Sequence, residues 1–151
     1  MVIKPIKRKI SKFENQYANL SNFADSMICH EYIFYPTVEH YFQAMKTTDL
    51  KQRRWIANAP TPGEAKRRGR SIDLRPDWED IKEEVMLEGL RLKFKIPAMR
   101  ETLLSTQSAE LVEGNWWHDN TWGDCSCDAC KDIEGKNMLG KLLMKVRAEL
   151  Y

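Results

Sequence analysis

Prolines at positions 36, 60, 76 and 97 cut the central part of this chain into short segments. Proline fixes its own backbone, lacks an N–H donor and pushes the residue before it out of the helical region. One long helix is therefore excluded, and so is an uninterrupted central sheet. Each break is succeeded by a helix start. Thr37 after Pro36 is an N-cap, and Val38, Tyr41, Phe42 and Met45 then share one face at helical spacing. Glu39, Gln43 and Lys46 occupy a different stripe of that helix. A second helix runs from Asp49 to Ala59 and stops at Pro60. Thr61-Pro62-Gly63-Glu64 is a capping box with proline at the first helical position. The helix it opens places Lys66 and Arg70 on one face. After the Arg75-Pro76 break, a long helix runs from Asp77 toward Lys95, with Trp78, Ile81, Val85 and Leu92 near helical phase, and Pro97 opens a short one through Leu104.

The two ends are less regular. Residues 8–13 and 27–35 alternate loosely and read as two short strands around the loop Leu20-Ser21-Asn22-Phe23, and residues 110–113 as a further short strand. Gly114 to Lys136 is the most irregular region. Asn137 is a plausible cap for a last helix whose Met138, Leu139, Leu142, Leu143, Val146 and Leu150 form a wide apolar face. The expected architecture is α+β: a single, predominantly α-helical domain over residues 1–151, with a small β component near the N-terminus.

Composition narrows the function classes. The 151 residues are 42 % hydrophobic and 30 % charged, an ordinary globular mixture rather than a disordered or fibrous one. No apolar run approaches the ~18 residues of a membrane span, and the basic start of the chain lacks the apolar stretch of a secretory signal. With 24 basic against 22 acidic residues the net charge is +2, too small for a dedicated nucleic-acid binder. Basic residues still cluster locally, at Lys4, Lys7, Arg8, Lys9 and Lys12 and again at Lys66, Arg67, Arg68 and Arg70. Three of the 4 cysteines fall within one short loop. Without a signal segment, disulfide stapling is not expected and a reducing cytoplasm is.

Gly-rich phosphate loops, His-Glu-x-x-His helices and Gly-x-Ser-x-Gly elbows are missing from the sequence. Four features remain. Glu39 lies between large apolar residues; burial would raise its carboxyl into the range useful for acid–base work. The commoner fate of such a residue is a solvated carboxylate near a helix N-terminus. Lys66 has Arg67, Arg68 and Arg70 for neighbours, which allows a nucleophilic amine or an anion-binding patch, against the commoner outcome of a solvated basic face. Trp78, Trp122 and the Trp116-Trp117 pair offer indoles for stacking a flat base, against a default of core packing. Cys125, Cys127 and Cys130 with His118 are a donor set suited to tetrahedral zinc, with Cys29 and His30 as remote alternatives. The spacing is not a standard knuckle, and the competing reading is a tight loop with free thiols. Zinc there would clamp the loop rather than serve the chemistry.

Several motifs occur in a fixed order: Leu20-Ser21-Asn22-Phe23; Tyr35-Pro36-Thr37-Val38-Glu39-His40-Tyr41-Phe42-Gln43-Ala44; Glu64-Ala65-Lys66; Trp78; Trp122-Gly123; and Asn137-Met138-Leu139-Gly140-Lys141-Leu142-Leu143-Met144-Lys145-Val146-Arg147. In these the chain resembles the YbiA-like or NADAR domain family, from about Phe13 to Leu150. The resemblance implies hydrolysis of an N-glycosidic bond. Members of that family are N-glycosidases acting on ribosylated, phosphorylated intermediates of early riboflavin biosynthesis, and others remove ADP-ribose from guanine in nucleic acid. The implied site gathers Asn22, Phe23, Glu39, Lys66, Arg70, Trp78, Asp119 and Trp122. Glu39 would handle a proton or stabilise developing positive charge, and Asp119 would be the second carboxylate of a hydrolytic pair. Lys66 would be a phosphate or ribose ligand, or a nucleophile forming a Schiff base with opened ribose. Arg70 would hold phosphate, and Trp78 or Trp122 would stack the base. The compact cysteine loop departs from the short Gly-rich turn of many relatives.

The expected substrate is thus a ribosylated small-molecule nucleotide or ADP-ribosylated nucleic acid, with no membrane partner and no cofactor required for catalysis. The basic N-terminal run leans slightly toward nucleic acid. A competing reading is a module that binds ADP-ribose or NAD without turnover, which would keep the tryptophans and Arg70 but need no Glu39–Lys66 pair. Another is a zinc-stabilised interaction protein.

Overall fold

Every proline break of the sequence separates elements in the computed structural model, which describes residues 7–151. In chain order these are β1 (Lys9–Ile10), a 3-10 helix (Asn15–Leu20), β2 (Ile28–His30), β3 (Ile33–Tyr35), α1 (Val38–Ala44), α2 (Leu50–Ala57), α3 (Pro62–Ser71), α4 (Trp78–Lys93), α5 (Pro97–Ser105), β4 (Glu110–Leu111), β5 (Gly114–Asn115), β6 (Asp124–Cys125) and α6 (Met138–Glu149). Helices dominate and strands are short, as expected. Lys4, part of the N-terminal basic run, lies outside the described residues. No helix among them is long and apolar enough to cross a membrane.

The residues group into two compact units, one formed by the N-terminal segment to Leu20 with Glu101–Tyr151, the other by Ser21–Arg100. In Ser21–Arg100, β2 and β3 form an antiparallel hairpin that registers Ile28 with Tyr35 and His30 with Ile33. Residues 27–35 are therefore a hairpin and not the single strand expected. The turn is Glu31-Tyr32, both at positive φ (48° and 67°). Such a two-residue turn usually carries Asn-Gly, so this one leaves no signal in the sequence. Three helices begin as read. The side chains of Thr37, Asp49 and Thr61 accept from the backbone N–H three residues on, those of His40, Gln52 and Glu64. The capping box at Thr61 is half made, because Glu64 turns its carboxylate to Arg67 and Arg68 instead. The core of this unit includes Tyr35, Val38, Tyr41, Ala44, Ile56, Leu90 and Phe94, all fully buried.

In the other unit, β1 pairs with β4 in parallel, Lys9 opposite Glu110 and Ile10 opposite Leu111, and β5 pairs with β6. The β component is therefore not confined to the N-terminus. Residues 8–13 form no hairpin with the neighbouring segment, because their ladder partner lies about a hundred residues along. Asn137 stands at the start of α6, but its side chain caps nothing. Its Oδ1 accepts from Glu113 N (2.9 Å) and its Nδ2 donates to Leu111 O (2.9 Å). The free N–H groups at the start of α6 are taken by carbonyls of an earlier turn. Met138 N donates to Thr121 O (3.1 Å), Leu139 N to Trp122 O (3.0 Å) and Asn137 N to Gly123 O (3.1 Å). Trp122-Gly123 and Asn137-Met138-Leu139, separate motifs in the sequence, are thus two halves of one contact.

Candidate functional site

Helix α1 is buried on all sides, its polar stripe included. Glu39 is only 8 % exposed and Gln43 only 4 %, so the solvated carboxylate is not what the fold builds. Gln43 Nε2 donates to Glu39 Oε1 at 2.8 Å, the i, i+4 contact that helical spacing allows. Lys46, expected as the next residue of the stripe, lies just past the end of α1, whose C-cap is Met45. Burial pushes its ammonium below the usual lysine range; Glu39 opposes that shift, and Arg70 and Lys66 reinforce it. Glu39, Lys66 and Arg70 therefore all lie within electrostatic reach of Lys46. The sequence placed Lys46 on the stripe without giving it a role. Its signal was the spacing 39, 43, 46, which a helix turns into one line.

Gly69 is what lets α3 carry Lys66 and Arg70 up to α1. A methyl group at Gly69 would lie 2.0 Å from Gln43 Oε1 and 2.9 Å from Gln43 Cβ. Substituting Gly69→Ala must therefore turn away the amide that holds Glu39. In the catalytic role that the resemblance implies for Glu39, its displacement lowers kcat/KM by about tenfold, and overpacking costs about 1–2 kcal/mol of stability. Steady-state kinetics and thermal unfolding of the variant measure both.

The loop before β2 is tied to the same residue. Asn22 O accepts from Glu39 N at 3.1 Å. Lys93, fully buried on α4, donates from Nζ to Ser21 O at 2.8 Å. This lysine was not singled out in the sequence; its apolar neighbours make it look like any helix-end cation. The Asn22 side chain donates to Met86 Sδ (3.5 Å), and its Oδ1 is buried with no hydrogen-bond partner among the described residues. Phe23 is half exposed (48 %) beside it in the chain. Buried acceptors without donors are uncommon in folded proteins, and Asn22 Oδ1 is one of them, with unused hydrogen-bonding capacity.

The tryptophans divide between core and surface. Trp78 opens α4 and is 5 % exposed, its ring 4.9 Å from that of Phe42. It packs the unit and offers no open face for a base. Trp116 and Trp117 are exposed and meet edge to face at 5.8 Å. Trp55, also exposed, lies under the guanidinium of Arg68 at 5.1 Å.

Asp119 and Trp122 belong to the C-terminal unit. Asp119 Oδ1 accepts from Thr121 N (3.1 Å) and Trp122 N (2.9 Å), so this carboxylate shapes the turn that receives α6. In the same unit, the ligand atoms of His118, Cys125, Cys127 and Cys130 all lie within 4.8 Å of one another. Cys29 and His30 are not in that group.

Comparisons with known proteins agree with these motifs. The NADAR domain pattern matches residues 7–151. The chain is 43 % identical over 139 residues to N-glycosidase YbiA of Escherichia coli (strain K12), an alignment covering 90 % of this chain and 83 % of that one. It is 41 % identical over 140 residues to an N-glycosidase of Nostoc punctiforme, covering 89 % and 86 %. The riboflavin biosynthesis protein PYRR of Zea mays is 39 % identical over 133 residues, covering 80 % of this chain but only 20 % of that longer one. The NMR structure of Escherichia coli YbiA superposes with a TM-score of 0.79 at 41 % identity, over 96 % of this chain and 86 % of that one.

Proposed function

The chain belongs to the NADAR domain family, and from that premise we propose that it hydrolyses the N-glycosidic bond joining a phosphorylated ribose to a nitrogen base. Two of its relatives bear the name N-glycosidase at 43 % and 41 % identity over most of both chains. The observation that carries the reading is the buried Glu39, held by Gln43 and within electrostatic reach of Lys46, which Lys66 and Arg70 reach as well.

Each part has a task. Water attacks the anomeric carbon as the C–N bond breaks, through a transition state with positive charge on the sugar. Glu39 stabilises that charge and accepts the proton of the attacking water. The base leaves with the bonding electron pair and takes a proton from solvent, and Glu39 returns the one it accepted to solvent. Lys66 and Arg70 hold the phosphate as fixed cations. Asn22 Oδ1, buried and lacking a donor among the described residues, accepts from a ribose hydroxyl. Gln43 and Gly69 set the position of Glu39.

The Zea mays relative is named for riboflavin biosynthesis. That favours a ribosylaminopyrimidine phosphate as substrate over ADP-ribosylated guanine. A product assay by mass spectrometry decides. The protein is given the ribosylaminopyrimidine phosphate and, separately, an oligonucleotide carrying ADP-ribose on guanine. Free ribose phosphate from the first is the expected result. Free ADP-ribose from the second alone would move the substrate to nucleic acid. Release from neither, with ADP-ribose bound in a parallel titration, would replace the hydrolase with a binding module.

A further inference from the structure

The loop from Gly114 to Lys136 presents a problem that its own sequence cannot solve. It contains two strands of two residues each and no helix. Its large apolar side chains Trp116, Trp117 and Ile133 point to solvent, with exposures of 73 %, 51 % and 54 %. Long stretches without regular structure or a core need some other staple to hold one conformation. A staple is nonetheless required here, because the turn inside this loop supplies the carbonyls that receive the first N–H groups of α6.

The loop side chains that converge are sulfur and imidazole. His118 Nδ1 lies 3.2 Å from Cys127 Sγ and 3.5 Å from Cys130 Sγ. The sulfur of Cys125 joins them, all four ligand atoms being within 4.8 Å of one another. Zinc bonds of about 2.3 Å to sulfur and about 2.0 Å to nitrogen place tetrahedral ligand atoms roughly 3.5–3.8 Å apart. The observed spacings, from 3.2 Å up to 4.8 Å, bracket that range. The thiols are free rather than paired in a disulfide. As neutral thiols they would offer one another and the imidazole only weak hydrogen bonds.

The surrounding backbone fits a metal as well. Cys127 and Cys130 are joined by a tight turn, Cys130 N to Cys127 O at 3.0 Å. His118 sits at φ 70°, a left-handed conformation that histidine, with Asn and Asp, adopts more often than other side-chain-bearing residues. Its own N–H donates to Cys125 Sγ at 3.3 Å, and Cys125 N donates to Asn120 Oδ1 at 2.8 Å. Backbone donors to sulfur and fixed ligand orientation are what outer contacts supply around a bound metal.

We propose that His118, Cys125, Cys127 and Cys130 bind one Zn2+ as a closed structural site that fixes the turn receiving α6. Three soft thiolates and an imidazole select zinc among the common divalent ions. On binding, the three thiols lose their protons to solvent and bond as thiolates, and His118 bonds through neutral Nδ1. Four protein ligands leave no open position, so the metal takes no part in hydrolysis. Clamping Cys125 of β6 to His118 closes the segment that carries Asp119, Thr121 and Trp122. The inference is independent of the proposed reaction, since none of its ligands belongs to that site.

Metal analysis of protein purified under reducing conditions without chelator tests it. About one zinc per chain is expected in the wild type, falling below about a tenth in both Cys127→Ser and His118→Ala. Wild-type protein stripped by chelator melts at a lower temperature, and Zn2+ restores it while Mg2+ does not. Reloading the stripped wild type with Co2+ gives the intense visible bands of a tetrahedral, sulfur-bound ion, a readout that stands even where a variant fails to fold. The proposal is overturned by failure of the reduced wild type to bind stoichiometric Zn2+, by weak octahedral Co2+ bands, or by full zinc retention in both variants.

Discussion

Glu39→Gln is expected to lower the rate of base release by at least about a thousandfold while leaving the protein folded. The substitution keeps shape and hydrogen-bonding capacity. The new amide can present its oxygen to Gln43 Nε2, which now donates to Glu39 Oε1 at 2.8 Å, so the packing of α1 survives. What disappears is the negative charge and the ability to take a proton. General acid–base groups are worth about 10²–10⁴ in rate, and a carboxylate that also faces a cationic transition state adds to that. Lys46 is affected too, because Glu39 opposes its loss of proton affinity. Single-turnover kinetics with thermal unfolding in parallel separate chemistry from folding. Turnover near that of the wild type would remove Glu39 from the reaction.

Gly140→Ala acts on stability. A Cβ at this position of α6 would stand 2.1 Å from Leu111 O and 2.4 Å from Asn137 Nδ2. Neither obstacle can swing aside cheaply. Leu111 O is backbone in β4, which is paired with β1, and it already accepts from Asn137 Nδ2 at 2.9 Å. Asn137 is in turn held by Glu113 N. The methyl group must push α6 away from β4, disturbing buried Leu139, Leu143 and Val146. Overpacking against fixed backbone costs about 3 kcal/mol at the upper end of its range, which lowers Tm by roughly 10 °C for a chain of this size. Thermal unfolding followed by circular dichroism measures it. An unchanged Tm would mean that α6 slides without loss and that the glycine is not the point of closest approach.

Glycines of this kind explain part of the motif pattern. Gly69 admits Gln43, Gly140 admits the Leu111 carbonyl, and Gly89 admits the ring of Tyr41, where a Cβ would lie 2.5 Å from Cε1. In the sequence these are three helix-interior residues of poor helix propensity. Only the packed structure shows the neighbour that each one accommodates.

Helix starts were legible because they are local. The bond from Thr37, Asp49 or Thr61 to the N–H three residues later involves groups adjacent in the chain, and the residue types that make it are few. Periodicity likewise placed Glu39, Gln43 and Lys46 on one line, and the ordered motifs gave the family. The tertiary structure decided what those residues face. It buried a stripe that reads as polar, because α1 is enclosed on every side and not along one face. It set Lys66 and Arg70 of α3 near Lys46 through a glycine contact that no pattern announces. It gave Asn137 a role bridging Glu113 and Leu111 rather than capping its own helix, since the carbonyls of Thr121, Trp122 and Gly123 had already taken the helix end. It turned the chain at Glu31-Tyr32 without a turn residue, because the register of Ile28 with Tyr35 and His30 with Ile33 outweighs a local backbone preference of about 1–2 kcal/mol per residue. Hydrogen bonds between near neighbours are written in residue order; burial and charge depend on which distant segments arrive, and packing alone settles that.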